Sequence, residues 1–95
     1  MMREIEEWAE KYHNITKKAL EKVSIKKNLS GQDAENAGKL LSMANDYFND
    51  ACYFEKQGKF VLAIAAFSYA HAWIDAGVKI GLFDGKNDSK LFTLP

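Results

Sequence analysis

The sequence predicts an all-α fold, a three-helix up-and-down antiparallel bundle with a short C-terminal tail. Three observations carry this expectation. Apolar residues recur at spacings of three and four in three separate stretches, which is the period of one helix face. Gly58 and Gly81 fall where two of those stretches stop, and glycine accepts the left-handed conformation that ends a helix. The one proline is Pro95, so no proline breaks any of the three. The helices are expected over about 3–24, 32–57 and 60–80, with a tail over 84–95, in a single domain covering 1–95.

The first helix carries an apolar stripe of Ile5, Trp8, Ala9, Tyr12, Ile15, Thr16 and Ala19. Glu4, Glu6 and Glu7 come early and Lys17, Lys18 and Lys22 late, an order that complements the helix dipole. Glu7 and Lys11 are spaced for an i,i+4 pair, and His13 falls on an exposed face with no role. Residues 25–31 read as a loop. Lys26 and Lys27 extend the cluster of Lys17, Lys18 and Lys22, which is a solvated helix end or, alternatively, a phosphate-binding patch.

Ser30 offers an N-cap for the second helix, with Asp33 three residues on, close to a capping box. Its inner face holds Ala37, Leu40, Leu41, Ala44, Tyr47, Phe48, Ala51 and Phe54. Gln57-Gly58-Lys59 is too short to do anything but fold the next helix back. That third helix has Phe60, Ala63, Ile64, Phe67, Ala70, Ile74 and Val78 along one side. Its polar residues Ser68, His71, Asp75 and Lys79 share a wedge of about 80°. Leu62, Tyr69, Trp73 and Ile80 lie roughly opposite, beside Ala65, Ala66 and Ala76. A helix apolar nearly all round is buried on more than one side. Residues 84–90 are turn-rich, and Leu91-Phe92-Thr93-Leu94 is apolar enough to pack back on the bundle.

Composition bounds the function. The formal net charge is zero and 27% of residues are charged, the make-up of an ordinary soluble domain. Arg3 is the only arginine among 13 cationic side chains, which disfavours nucleic acid, where bidentate contacts call for arginine. Cys52 is the only cysteine, so no disulfide framework exists and a reducing cytoplasm is expected. The opening Met-Met-Arg-Glu-Ile-Glu-Glu has no apolar signal core. Residues 60–78 come nearest to a membrane span but are interrupted by Ser68, His71 and Asp75, so no membrane partner is expected.

Candidate chemistry is sparse. His71 and Asp75 stand i,i+4 on one face and could share a ligand. In an antiparallel hairpin turning near 58 and 59 His71 comes level with Asp46 and Tyr47, and Asp50 with Phe67 and Ser68, so Asp46, Asp50, His71 and Asp75 are the one candidate metal or acid–base cluster. No HExxH or CxxC spacing supports a metal, and no phosphate loop, catalytic triad or nucleophile elbow occurs. Cofactors are expected to be none, and Cys52 reads as a packing residue.

Gly58, Phe60, Ala63, Phe67 and Ala70 resemble a single tetratricopeptide-repeat hairpin, although no second copy follows. A more specific likeness runs from Tyr47 to Leu82. It rests on Tyr47, Asp50-Ala51, Tyr53-Phe54, Gly58, Ala63, Tyr69-Ala70, Trp73-Ile74-Asp75-Ala76-Gly77 and Gly81-Leu82. These residues resemble a small archaeal family catalogued as a domain of unknown function, number 357 in that series. Gln57-Gly58-Lys59 departs from the Gly-Asp expected at that turn. The resemblance implies a three-helix bundle in a cytoplasmic archaeal protein and no particular activity. Two functions are therefore weighed. The first is a non-enzymatic interaction module, self-associating as a homodimer or binding a helical partner through Leu62, Tyr69, Trp73 and Ile80. The second is a small metal- or nucleotide-handling hydrolase using the His71/Asp75 wedge.

Overall fold

A computed structural model describes residues 2–94; Met1 and Pro95, the two ends of the expected domain, lie outside the described residues. Helix α1 spans Met2–Lys22, α2 Gly31–Lys56 and α3 Phe60–Lys79. They form the predicted antiparallel three-helix bundle. Helix α3 packs against both others, while α1 and α2 touch each other only slightly. The molecule measures 47 × 23 × 16 Å. Val61, Leu62, Tyr69 and Ile80 remain half or more exposed, so α3 is not wrapped on every side.

Both helix ends that the glycines mark are Schellman caps. Gly58 has φ 76°, and Lys59 N donates to Phe54 O at 2.9 Å while Gly58 N donates to Glu55 O at 3.0 Å. Gly81 has φ 85°, with Leu82 N on Gly77 O at 2.9 Å and Gly81 N on Val78 O at 3.2 Å. At the start of α2, Ser30 Oγ accepts from Asp33 N, the expected N-cap. In α1, Glu7 pairs with Arg3 at 3.5 Å rather than with Lys11, whose ammonium instead sits 4.8 Å above the ring of Trp8. Trp8 itself stays 44% exposed, at the edge of the expected stripe.

The core falls into two clusters along α3. Near the hairpin turn, Ala51, Ala63 and Phe67 are fully buried, with Tyr12, Phe48 and Phe54 packed against them. Toward the other end, Ala19, Val23, Ala37, Ala44, Ile74, Val78, Phe83 and Phe92 close around one another. Thr16 is the buried polar residue of α1, and its hydroxyl donates to Phe67 O at 3.3 Å. Gly77 lies directly under the buried Phe83, where a Cβ would collide with the ring.

The α1–α2 connection is more ordered than a loop. Strand β1, Ser24–Ile25, pairs antiparallel with β2, Phe83–Asp84, in the register Ser24 to Asp84 and Ile25 to Phe83. Two residues are too few to show an alternation, so the sequence carries no signal for this ladder. The pairing brings the segment after α3 back to the end of α1. From there the tail turns over the bundle and buries Phe92 to 4% exposure.

His13 corrects the sequence reading. It is half buried, not alone on an exposed face. Its Nδ1 lies 2.6 Å from Glu55 Oε1, and its ring packs at 5.4 Å from Phe48 and 5.0 Å from Phe67.

Candidate functional site

The polar wedge of α3 has a structural employment. His71, Asp75 and Lys79 stand one turn apart and each grips the main chain of the tail. The Nε2 atom of His71 lies 2.7 Å from Leu91 O. A carbonyl only accepts, so Nε2 carries the proton and donates. Asp75 Oδ1 accepts from Thr93 N, and Lys79 Nζ donates to Leu94 O at 3.0 Å. With Nε2 spent on a carbonyl, that nitrogen has no lone pair for a metal while the tail is docked.

The four-residue cluster is not assembled. His71 and Asp75 line a cleft of ≈ 340 Å³ between α1 and α3, with Tyr12, Ile15 and Lys90. Asp50 lines a different groove, of ≈ 540 Å³ between α2 and α3, with Tyr47, Phe54, Leu62 and Tyr69. Asp46 lines neither cleft and is exposed on α2. Ser68 and Ala72 form the wall between the two clefts. Among the described residues no three His, Cys, Asp or Glu side chains converge as metal ligands would.

Two other groups bear on chemistry. Burial pushes the Cys52 thiol above its ordinary range, with Glu55 adding to it, so a reactive thiolate is disfavoured. The Tyr47 hydroxyl is raised by partial desolvation first and by the adjoining Tyr69 second. The rings of Tyr47 and Tyr69 lie 4.5 Å apart, and Tyr69 lies 6.1 Å from Trp73, an aromatic string that ties α2 to α3.

The largest unexplained feature is the outer face of α3. Val61 and Ile80 are each 67% exposed, Leu62 51% and Tyr69 50%. Between them Ala65, Ala72 and Ala76 are also exposed. Three of the four interaction residues expected from the sequence therefore sit at the surface. Trp73 differs from them. It is half buried against the core cluster of Ile74 and Val78, and its indole Nε1 is buried with no hydrogen-bond partner among the described residues. Val61 falls outside the expected line of Leu62, Tyr69, Trp73 and Ile80, whose steps are seven, four and seven. Steps of four, four, three, four and four from Val61 to Ile80 would have found it.

By length and composition α3 is also apolar enough to cross a membrane, with 33% of its most apolar window buried, contrary to the expectation that 60–78 falls short. The core helix of a soluble protein passes the same test.

Fold and surface together define a small all-α domain whose third helix is core on one side and an apolar ridge on the other. The chain belongs to the family described as protein of unknown function (DUF357), whose model matches residues 11–83. No curated protein and no solved structure shows a significant match to it. The matched span holds most of α1, all of α2 and α3, and Phe83; the tail that His71, Asp75 and Lys79 grip lies beyond it.

Proposed function

We propose that this protein is a non-enzymatic protein-interaction module that associates with a second copy of itself through the outer face of α3. The observation that carries this reading is the run of exposed apolar side chains on that helix, with Val61 and Ile80 both 67% exposed. Contiguous apolar surface of this kind on a small domain marks an interaction site, and tyrosine is among the residues that anchor interfaces. The hydrolase reading has no comparable support, because the His71/Asp75 wedge is engaged by the tail.

Sedimentation from about 10 to about 500 µM tests the reading, since a small interface associates weakly and its midpoint falls within that span. The expected result is a rise toward twice the 10.7 kDa monomer mass. Tyr69→Glu should return the protein to monomer with its helicity unchanged, and Ile80→Lys, at the far end of the ridge, should do the same. A wild type that stays monomeric throughout would refute self-association. One that stays monomeric and floats with phosphatidylcholine vesicles would assign the ridge to lipid instead.

A further inference from the structure

We infer that two copies pair α3 against α3 in antiparallel fashion, about a twofold axis that crosses the helix between Ala70 and His71. This inference rests on the self-association proposed above and adds its geometry. The ridge is Val61, Ala65, Tyr69, Ala72, Ala76 and Ile80, all exposed, with the exposed Leu62 beside its Val61 end. Its spacings are four, four, three, four and four, which read the same from either end. A twofold interface places one surface patch on itself, so it requires a patch that is complementary to its own reversal.

The residue types satisfy that requirement at these six positions, while Leu62 at the rim falls against the aliphatic stem of Lys79 of the second copy. Reversal sets Val61 against Ile80 of the second copy, Ala65 against Ala76, and Tyr69 against Ala72. Branched side chains meet at the two ends. Small meets small at the middle steps, where the helix backbones approach. Each tyrosine ring lies over the alanine of the other copy. Ala65 and Ala76 are eleven residues apart, a separation that turns the helix to within about 20° of the same direction, so both lie on the centre line of the ridge. A parallel pairing instead sets each residue on its own copy. The two Tyr69 rings would then meet where the alanines call for close approach, and the helices would be wedged apart.

The area suffices for a reversible dimer. The exposed parts of one tyrosine, two branched side chains and three alanines on each copy make a small interface, near the lower limit of about 1,000 Å² for a specific one. Close approach at the alanines fits a shallow crossing near 20° with helix axes about 8 Å apart.

Disulfide trapping tests the register. Cys52, half buried and packed against the Ala51–Phe67 core cluster, is first replaced by alanine to remove the native thiol. Ala65→Cys and Ala76→Cys are then made separately in that background. Within one chain these positions lie about 16 Å apart along α3, beyond the reach of a disulfide. Under mild oxidation the equimolar mixture should give a covalent dimer containing one of each variant, in at least about tenfold excess over either variant alone. Dimers formed equally well by each variant alone would overturn the antiparallel arrangement in favour of a parallel one. If the mixture fails to cross-link while both variants sediment as dimers, this register is wrong although the protein self-associates. If they sediment as monomers and the wild type does too, the underlying reading fails with it.

Discussion

The imidazole of His13 stands 2.6 Å from the carboxylate of Glu55, and the pair joins α1 to the last turn of α2. These two helices touch each other little elsewhere. Phe48 and Phe67 close over the same imidazole, so the link is both polar and packed. His13→Ala leaves a part-buried carboxylate without its donor and opens a gap between the two phenylalanines. A loss of about 1–3 kcal/mol in urea unfolding is expected. An unchanged midpoint would show that α1 is held by α3 alone.

Phe67 is, with Phe83, one of the two largest fully buried side chains among the described residues, and it meets α1 through His13 and α2 through Phe48, in one cluster with Ala51 and Ala63. Phe67→Ala should cost about 3–5 kcal/mol, enough to unfold a domain of this size at ordinary temperature. Far-ultraviolet circular dichroism at 25 °C reads the result directly. A cooperative melt shifted by only a degree or two would contradict the packing described.

Gly77 and Gly38 make a matched contrast. Alanine is favoured over glycine inside a helix by about 1 kcal/mol. At Gly38 no atom of the described residues lies within 4 Å of a new methyl, so Gly38→Ala should stabilise by about 0.5–1 kcal/mol. At Gly77 the methyl would strike the ring of Phe83, which is itself 1% exposed and cannot retreat. Gly77→Ala should therefore destabilise by about 1–3 kcal/mol despite its better propensity. Thermal midpoints that move in the same direction for both variants would show that Phe83 does not pack on Gly77.

The tail should loosen in acid. Lys22, 3.0 Å away, and the N–H groups of Leu91 and Lys90 hold the carboxyl of Asp88 below the usual carboxylate range. A carboxyl depressed in the folded state stabilises fully above its unfolded value, and that contribution fades as the pH falls through the folded one. Docking of the tail should thus be constant above about pH 5 and weaken below about pH 4. Hydrogen exchange at the Phe92 amide, which donates to Asp88 O, follows it. Asp88→Asn keeps an acceptor oxygen and removes the charge, so it should flatten the acid limb. The same acid limb in that variant would place the titration elsewhere.

The residues that carry the family likeness acquire physical roles in the fold. Ile74 is core, Asp75 takes the Thr93 amide, Gly77 makes room for Phe83, and Gly81 caps α3. Trp73 fills the side of α3 toward the core cluster and gives Tyr69 an aromatic neighbour.

The three helices, their caps and the inward faces of α2 and α3 were legible in the sequence, because each depends on residues within one or two turns of one another. Periodicity of three and four, a serine before α2 and a glycine after each of α2 and α3 are local signals, and the helices ended within about two residues of where those signals put them. What the sequence did not determine is everything that depends on which face meets which neighbour. His13 and Glu55 are 42 positions apart, Ser24 and Asp84 are joined only through the fold, and nothing local distinguishes a solvent-facing histidine from one clasped between two phenylalanines. The polar wedge shows the same division. Its one-turn spacing was visible, but whether it faced a ligand, water or the chain's own tail was settled only when the turn at 84–90 carried Leu91, Thr93 and Leu94 back to it. The ridge of α3 is the clearest case. An all-round apolar helix states that several sides want covering, and only the packing of two neighbours on a three-helix frame decided that the side from Val61 to Ile80 was the one left open.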